Sequence, residues 1–414
     1  MATVINQQAD SESIAASNTS YPVLLGNYSL FRSASEAGAN IVWRSDGVLS
    51  NLYINILTND RAASTFRTRK GTADANIAVS ITGSTTGKFE DTSNTDTVTA
   101  GDNWHAKIVT GAGGTVFTYN VNSVLFAATT NTVHKIGCGF TDISLASTTE
   151  FSPFYGRSVT PQAADSNVGM TMRTAGTLAK LGVQVGINSR TTTSTLRSRV
   201  NSAFGAQTIS IAGGTTGNVE DTTNSDTIAS GDLINWSMTT GTGTELIEPN
   251  STHVEFTTTN SLQQYVAGIA VGLAQTAGLT RYYPFQGRLL ENATESNVVA
   301  ETNLAFTASL LQCNISANTI VLDSTLTLRK NSAPGNQVVT ITALTTGIFQ
   351  DTVNTDSIVA TDTLDYQIVT PSTVTAITIR SISMLGDSSL SRNINTFERK
   401  TFRGVLRGVG RGSI

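Results

Sequence analysis

Apolar and polar residues alternate with a period of two through Ile77-Ala78-Val79-Ser80-Ile81, and again through Gln207-Thr208-Ile209-Ser210-Ile211. Val338-Val339-Thr340-Ile341 continues the theme. This is the pattern of strands with one face buried. The β-branched residues Thr, Val and Ile that dominate these runs suit a pleated surface, because branching at Cβ restricts χ1 and packs well against neighbouring strands. Clusters of Gly, Asn, Asp and Ser interrupt the runs at short intervals, as expected of an all-β sandwich or barrel. No stretch of a dozen residues carries the spacing of an amphipathic helix, so little helix is expected.

One phrase occurs three times. Thr85-Thr86-Gly87-Lys88-Phe89-Glu90-Asp91-Thr92-Ser93-Asn94-Thr95-Asp96 returns as Thr215-Thr216-Gly217-Asn218-Val219-Glu220-Asp221-Thr222-Thr223-Asn224-Ser225-Asp226. Its third form is Thr345-Thr346-Gly347-Ile348-Phe349-Gln350-Asp351-Thr352-Val353-Asn354-Thr355-Asp356. The interval from Thr85 to Thr215, and from Thr215 to Thr345, is 130 residues. Solenoid and propeller units run at roughly 20–50 residues, so this period has the size of a whole domain. The register holds beyond the phrase. Val79, Ile209 and Val339 share a column, as do Arg69, Arg199 and Arg329, and Ala106, Trp236 and Tyr366. Ser152-Pro153-Phe154-Tyr155-Gly156-Arg157 matches Tyr283-Pro284-Phe285-Gln286-Gly287-Arg288, with Tyr21-Pro22 and Gly26 as a fainter first copy. The expected organisation is a flexible N-terminal arm over 1–20, three homologous antiparallel β-sandwich repeats over 21–150, 151–280 and 281–385, and a C-terminal tail over 386–414. Three copies in one chain make either a covalent pseudo-trimer or a string of beads.

Composition narrows the class. Charged residues are only 14% of the chain against 39% hydrophobic, well below the roughly 25% charge of ordinary soluble domains. Such a hydroxyl-rich, weakly charged surface fits a protein whose neighbours replace solvated charge. The net charge of −4 offers no general attraction to nucleic acid. No stretch approaches the 18 or more apolar residues of a membrane-spanning helix, and Met1 to Ser20 lacks the basic-then-apolar pattern of a signal peptide. Cys138 and Cys313 fall in different columns and read as small buried apolar residues.

Candidate chemistry centres on the repeated acidic loops. Oxygen ligands around Asp91, Asp221 and Asp351 could hold calcium, a hard cation that takes 6–8 oxygens. The loops lack the ligand order of an EF-hand, and the favoured reading has each Asp capping its own turn through backbone N–H groups. No cofactor or metal is therefore expected. His105, His134 and His253 occupy three different columns and Gly-x-Ser-x-Gly is absent, which argues against a catalytic triad or any enzyme. Trp43, Trp104, Trp236, Tyr282 and Tyr283 could form a carbohydrate platform, but the alternation of Trp236 and Tyr366 with Met238 and Ile368 places that column in the interior.

The C-terminus differs in kind. Phe397 to Ile414 holds five basic residues and one acid, with apolar residues interleaved. Arg399, Lys400, Phe402, Arg403, Val405, Leu406, Arg407 and Arg411 form the candidate assembly anchor, a peptide that docks on a neighbouring protein.

The segments Arg329-Lys330-Asn331, Val338-Val339-Thr340-Ile341 and Thr345 to Val359 resemble repeats in structural proteins of tailed bacteriophages. They are also similar to the jelly-roll heads of the C1q and tumour-necrosis-factor type found on phage fibres and spore-surface filaments. Copy three departs from the pattern at Thr361, where glycine is usual, and copy one has Lys70-Gly71 without Asn. The resemblance implies a jelly-roll sandwich, commonly trimeric, with no catalytic residues. It implies a structural virion protein but not which part of the virion; the first reading is a capsid decoration or cement protein on the external surface. A tail, fibre or spike component with an adhesive role is the alternative, and a secreted carbohydrate-binding surface protein the competing class. The expected partners are capsid or tail subunits and other copies of the same fold in a pseudo-threefold arrangement, with no membrane and no nucleic acid.

Overall fold

The computed structural model describes residues 3–24, 36–130, 132–139, 143, 147–157, 162–165, 168–243, 246–288, 291–371 and 376–388. The protein is all-β; the described residues form six sheets, with a helical turn at Glu36–Ala39 and a 3-10 turn at Glu295–Asn297. The sheets face each other in pairs, each pair enclosing an apolar cluster. In the first pair, one sheet has the strand order Thr3–Ser13, Phe117–Ala128, Gly47–Asn59, Gly87–Val98. Its partner sheet runs Thr19–Ser20, Asn103–Val109, Ser64–Lys70, Ala73–Ile81. The second pair repeats this wiring with Val133–Gly139, Ile247–Thr258, Gly176–Asn188 and Gly217–Ile228 facing Thr149–Ser152, Leu233–Thr239, Ser194–Val200 and Ala203–Ile211. The third does so with Gln263–Thr276, Ala376–Asp387, Phe306–Asn318 and Gly347–Gln350 facing Thr280–Pro284, Thr363–Val369, Ser324–Lys330 and Ala333–Ile341. Pairing is antiparallel except where the short strands Gly156–Arg157 and Gly287–Arg288 run parallel to Val133–Gly139 and Gln263–Thr276.

Columns of the repeat take like places. Val79, Ile209 and Val339 are each buried in the cluster of their own pair, as are Phe66, Leu196 and Leu326. The period-two alternation produces this directly, since successive side chains of a strand point to opposite faces. Ala106, Trp236 and Tyr366 are fully buried too.

The partners of the first strands correct the expected boundaries. Thr3–Ser13, expected to be a flexible arm, is an edge strand paired with Phe117–Ala128 from Thr3↔Ala127 to Ser13↔Thr118. Val133–Gly139 and Gln263–Thr276 hold the same place on Ile247–Thr258 and Ala376–Asp387. The strands that start near residues 3, 133 and 263 therefore take equivalent places in the three sheet pairs, ahead of the expected starts at 21, 151 and 281. Backbone ladder bonds from one neighbour hold such a strand, so it needs no apolar alternation to reveal it. Residues 389–414, with the anchor candidates Arg399, Lys400, Phe402, Arg403, Val405, Leu406, Arg407 and Arg411, lie outside the described residues.

Candidate functional site

The repeated acidic phrase runs along the last strand of one sheet in each pair and turns its carboxylates toward the edge strand of the facing sheet. Asp91 Oδ2 accepts the amide of Ala78 at 2.9 Å and the side-chain amide of Asn94 at 2.9 Å. Its Oδ1 accepts the amides of Ser93 and Asn94. Asp96 accepts the amides of Asn76 and Ile77 and the hydroxyl of Thr68. The second copy repeats this, with Asp221 on Thr208, Thr223 and Asn224, and Asp226 on Ala206. In the third, Asp351 takes Val338, Val353 and Asn354, and Asp356 takes Asn336 and Gln337. Each aspartate pair therefore joins two sheets along an edge where no backbone ladder connects them. Burial alone would raise the Asp221 carboxyl, yet the bonds from Asn224, Thr208 and Thr223 outweigh it and hold the group down at about 2. Asp91 and Asp351 are lowered for the same reason. Gly87, Gly217 and Gly347 enter these strands at φ of 98°, 91° and 111°, the left-handed region that favours glycine. Opposite the turn, Asn51, Lys180 and Leu310 form a bulge at φ 52°, 60° and 56°. Among the described residues, no group of three or more His, Cys, Asp or Glu side chains is arranged to hold a metal ion.

A second repeated device was not singled out from the sequence. Arg69 pairs with Glu36 and with the carbonyl of Thr72. Arg199 meets Asp165 at 3.0 Å and the Ser202 carbonyl, and Arg329 meets Glu295 at 2.7 Å and the Ser332 carbonyl. The arginine pins the segment that precedes each long central strand to the facing sheet. The signal was present, an arginine three times in one column with an acid about 34 residues upstream twice and 33 once.

The segment pinned by each arginine leads into residues that pack on the next sheet pair. From the first pair, Arg44 forms an ion pair with Glu220, its amide donates to Glu255 Oε1 at 2.8 Å, and Ser45 Oγ donates to Glu255 Oε2 at 2.7 Å. Gln184 and Asn250 donate to the carbonyls of Ala37 and Gly38. From the second pair, Arg173 donates to the Leu310 carbonyl at 3.1 Å, to Gln312 at 2.5 Å and to Gln350 at 3.2 Å. From the third, Lys88 of the first pair receives Glu301, and Ala300 packs on the buried ring of Tyr53. Leu125 of the first pair joins the apolar cluster of the third. The contacts involve corresponding strands of the three sheet pairs, and residues of the third pair reach the first through Glu301 and Ala300.

Other candidates resolve into packing. Trp43, Trp104, Trp236 and Tyr283 are buried, and Trp236 Nε1 donates to the Pro153 carbonyl. Tyr282 lies beside Arg329 and accepts from Gln367. The three histidines are buried in separate places, each held down at about 4, mainly by burial. Cys313 is free and buried, and burial pushes its thiol up. The side chain of Cys138 lies outside the described residues. No described helix is long and apolar enough to cross a membrane.

No family model and no curated protein matches the chain. Among solved structures, an insecticidal delta-endotoxin, Cry8Ea1 of Bacillus thuringiensis, aligns at 10% identity over 90% of this chain and 60% of its own, with a TM-score of 0.17. The chain thus spans about three fifths of that protein, and a likeness this low carries no argument.

Proposed function

We propose that the chain is a non-enzymatic structural protein, a covalent pseudo-trimer of three tandem jelly-roll-like units that acts by assembly on a larger particle. The observation that carries this reading is the return of the third unit onto the first through Glu301, Ala300, Lys88 and Tyr53. Beads on a string would leave that surface free. Cyclic head-to-tail interfaces close when the rotation per unit allows, and three units joined this way imitate a C3 homotrimer. The wiring of each pair, two sheets of four to six strands with the chain crossing repeatedly between them, supports a jelly roll.

The side chains that recur in all three copies spend their hydrogen bonds on the fold itself, in the aspartate edge bonds and the arginine pins, which suits a building block. Together with the likeness of Arg329 to Val359 to phage repeats, this favours a bacteriophage virion protein on the external surface, first a capsid decoration or cement protein. Capsid or tail subunits would be its partners, with a tail, fibre or spike role as the alternative. Mass spectrometry of purified particles, with copy number measured against the major capsid protein, tests the reading. Absence from washed particles would overturn it. A few copies per particle would move the assignment to the tail.

A further inference from the structure

The three contacts between units do not share a chemistry. Between the second and third units, Arg173 meets only neutral acceptors, and Tyr265 and Thr174 add neutral hydrogen bonds to the Thr171 carbonyl and Gln263. Between the third and first, an ion pair borders apolar packing of Tyr53 and Leu125. Between the first and second, buried charges fill the contact. Glu220 and Glu255 face Arg44 from the first unit, Lys135 lies fully buried with Nζ 3.7 Å from Glu255 Oε1, and His253 Nε2 stands 3.5 Å from Glu220 Oε1.

His253 occupies a slot made for it. Its register partners on the two flanking strands are Gly137 and Gly182, and a Cβ on Gly182 would come within 2.2 Å of the ring. The equivalent column holds Ser123 and Ser383, both buried.

We propose that the contact between the first and second units is an acid-operated opening point, with His253 as its trigger. The groups facing the ring are Glu220 on Gly217–Ile228, Lys135 on Val133–Gly139, Glu255 on its own strand, and Arg44 from the first unit. At neutral pH the carboxylates of Glu220 and Glu255 face Arg44 and Lys135, whose ammonium burial disfavours and the two acids favour, and the imidazole is uncharged. A proton on His253 adds a positive charge next to Arg44 and Lys135 in a water-poor site, and separating the units lets water solvate it. Burial, then Lys135, holds the imidazole at about 4, against an ordinary value near 6.5. The group is depressed in the closed form, so the open form binds the proton more tightly and closure weakens as pH falls from about 6.5 toward 4. Glu220, lowered to about 2 by His253 and Arg44 against the effect of burial, extends the loss below its ordinary carboxylate range.

Hydrogen exchange of the full chain, followed by mass spectrometry at matched intrinsic exchange, tests this. Between pH 6.5 and 4.5 each unit of acidification should shift the open-to-closed ratio about tenfold, the effect of one proton. Peptides over 37–45, 182–188 and 250–256 should lose protection before those over 171–174 and 310–314. His253→Ser, the residue of the two equivalent columns, should keep the contact closed at pH 5, and His253→Gln serves if that variant does not fold. Equal acid sensitivity of either folded variant and the natural chain would overturn the proposal. So would simultaneous loss of protection at all three contacts, or unchanged protection of the natural chain down to pH 4.5. None of these outcomes depends on whether the protein sits on a virion.

Discussion

Lys88 and Glu301, 213 positions apart, form an ion pair that joins the third sheet pair to the first. Lys88 is over a third exposed, so the pair itself contributes little, about 0–1 kcal/mol. The buried ring of Tyr53 against Ala300 beside it carries more. Tyr53→Ala should destabilise by about 3 kcal/mol, as large-to-small changes at packed aromatic sites do. Glu301→Lys should cost less than about 1 kcal/mol and recover only in part in the Lys88→Glu, Glu301→Lys double variant, because Glu90 also holds Lys88 at 2.9 Å. Denaturant titrations of the four proteins check both statements. A Tyr53→Ala effect below the charge reversal would mean that this contact is not packed as described.

The aspartates at 91, 221 and 351 are expected to be structural rather than calcium ligands. Asp221→Ala leaves the amides of Thr208, Thr223 and Asn224 without their acceptor. A loss of about 1–3 kcal/mol for each amide that water cannot reach is expected. The folded Asp221 carboxyl is depressed to about 2, so its stabilisation is present above its ordinary range near 3.8 and disappears as pH falls through 2. Treatment with EDTA should leave the melting temperature where it is. A drop reversed by added calcium would instead establish a bound ion.

Asp365 is the reverse case. It is buried beside Glu295, and burial first, then that neighbouring charge, push its carboxyl up to about 8 despite Arg329. Because the folded value is raised, the stability associated with its protonated form is complete below about pH 4 and is lost as pH rises through 8. The equivalent positions hold His105 and Asn235. Asp365→Asn should therefore raise the melting temperature at pH 8 and have little effect at pH 4. Its benefit should exceed about 1 kcal/mol where the natural carboxyl would have to ionise. An equal effect at both pH values would show that the carboxyl is not the cause.

Much of this was legible in the chain. Alternation in Ile77 to Ile81 placed a strand, the 130-residue register placed Val79, Ile209 and Val339 in like cores, and Asp91 read as a turn cap. What could not be read depends on partners distant in sequence. Thr3–Ser13 shows no apolar alternation because an edge strand is held by its backbone ladder. The role of Asp91 toward Ala78 requires two sheets to meet, which no local pattern announces. Arg44 and Arg173 reach the same place on successive units, but one finds Glu220 and the other Gln350. That divergence hides the contact from any search for a repeated ion pair.

The segment 397–414 is expected to be an assembly anchor. Its basic residues offer charge complementarity, and burying Phe402, Val405 and Leu406 would contribute on the order of 1.5–3 kcal/mol each before ordering costs. Removing residues 397–414 should leave the melting transition intact while lowering occupancy on particles and resistance to salt washing. Occupancy equal to that of the full chain would end the anchor idea.

The aspartate bonds also bear on how the protein behaves when crowded. An edge strand with free amides is a template on which another chain can build a strand. On Ala73–Ile81, Ala203–Ile211 and Ala333–Ile341, the outward amides at Asn76 and Ala78, Ala206 and Thr208, and Asn336 and Val338 are already taken by carboxylates of the same unit. Along these three strands, at least, a neighbouring chain finds no free amides at those positions on which to add a strand.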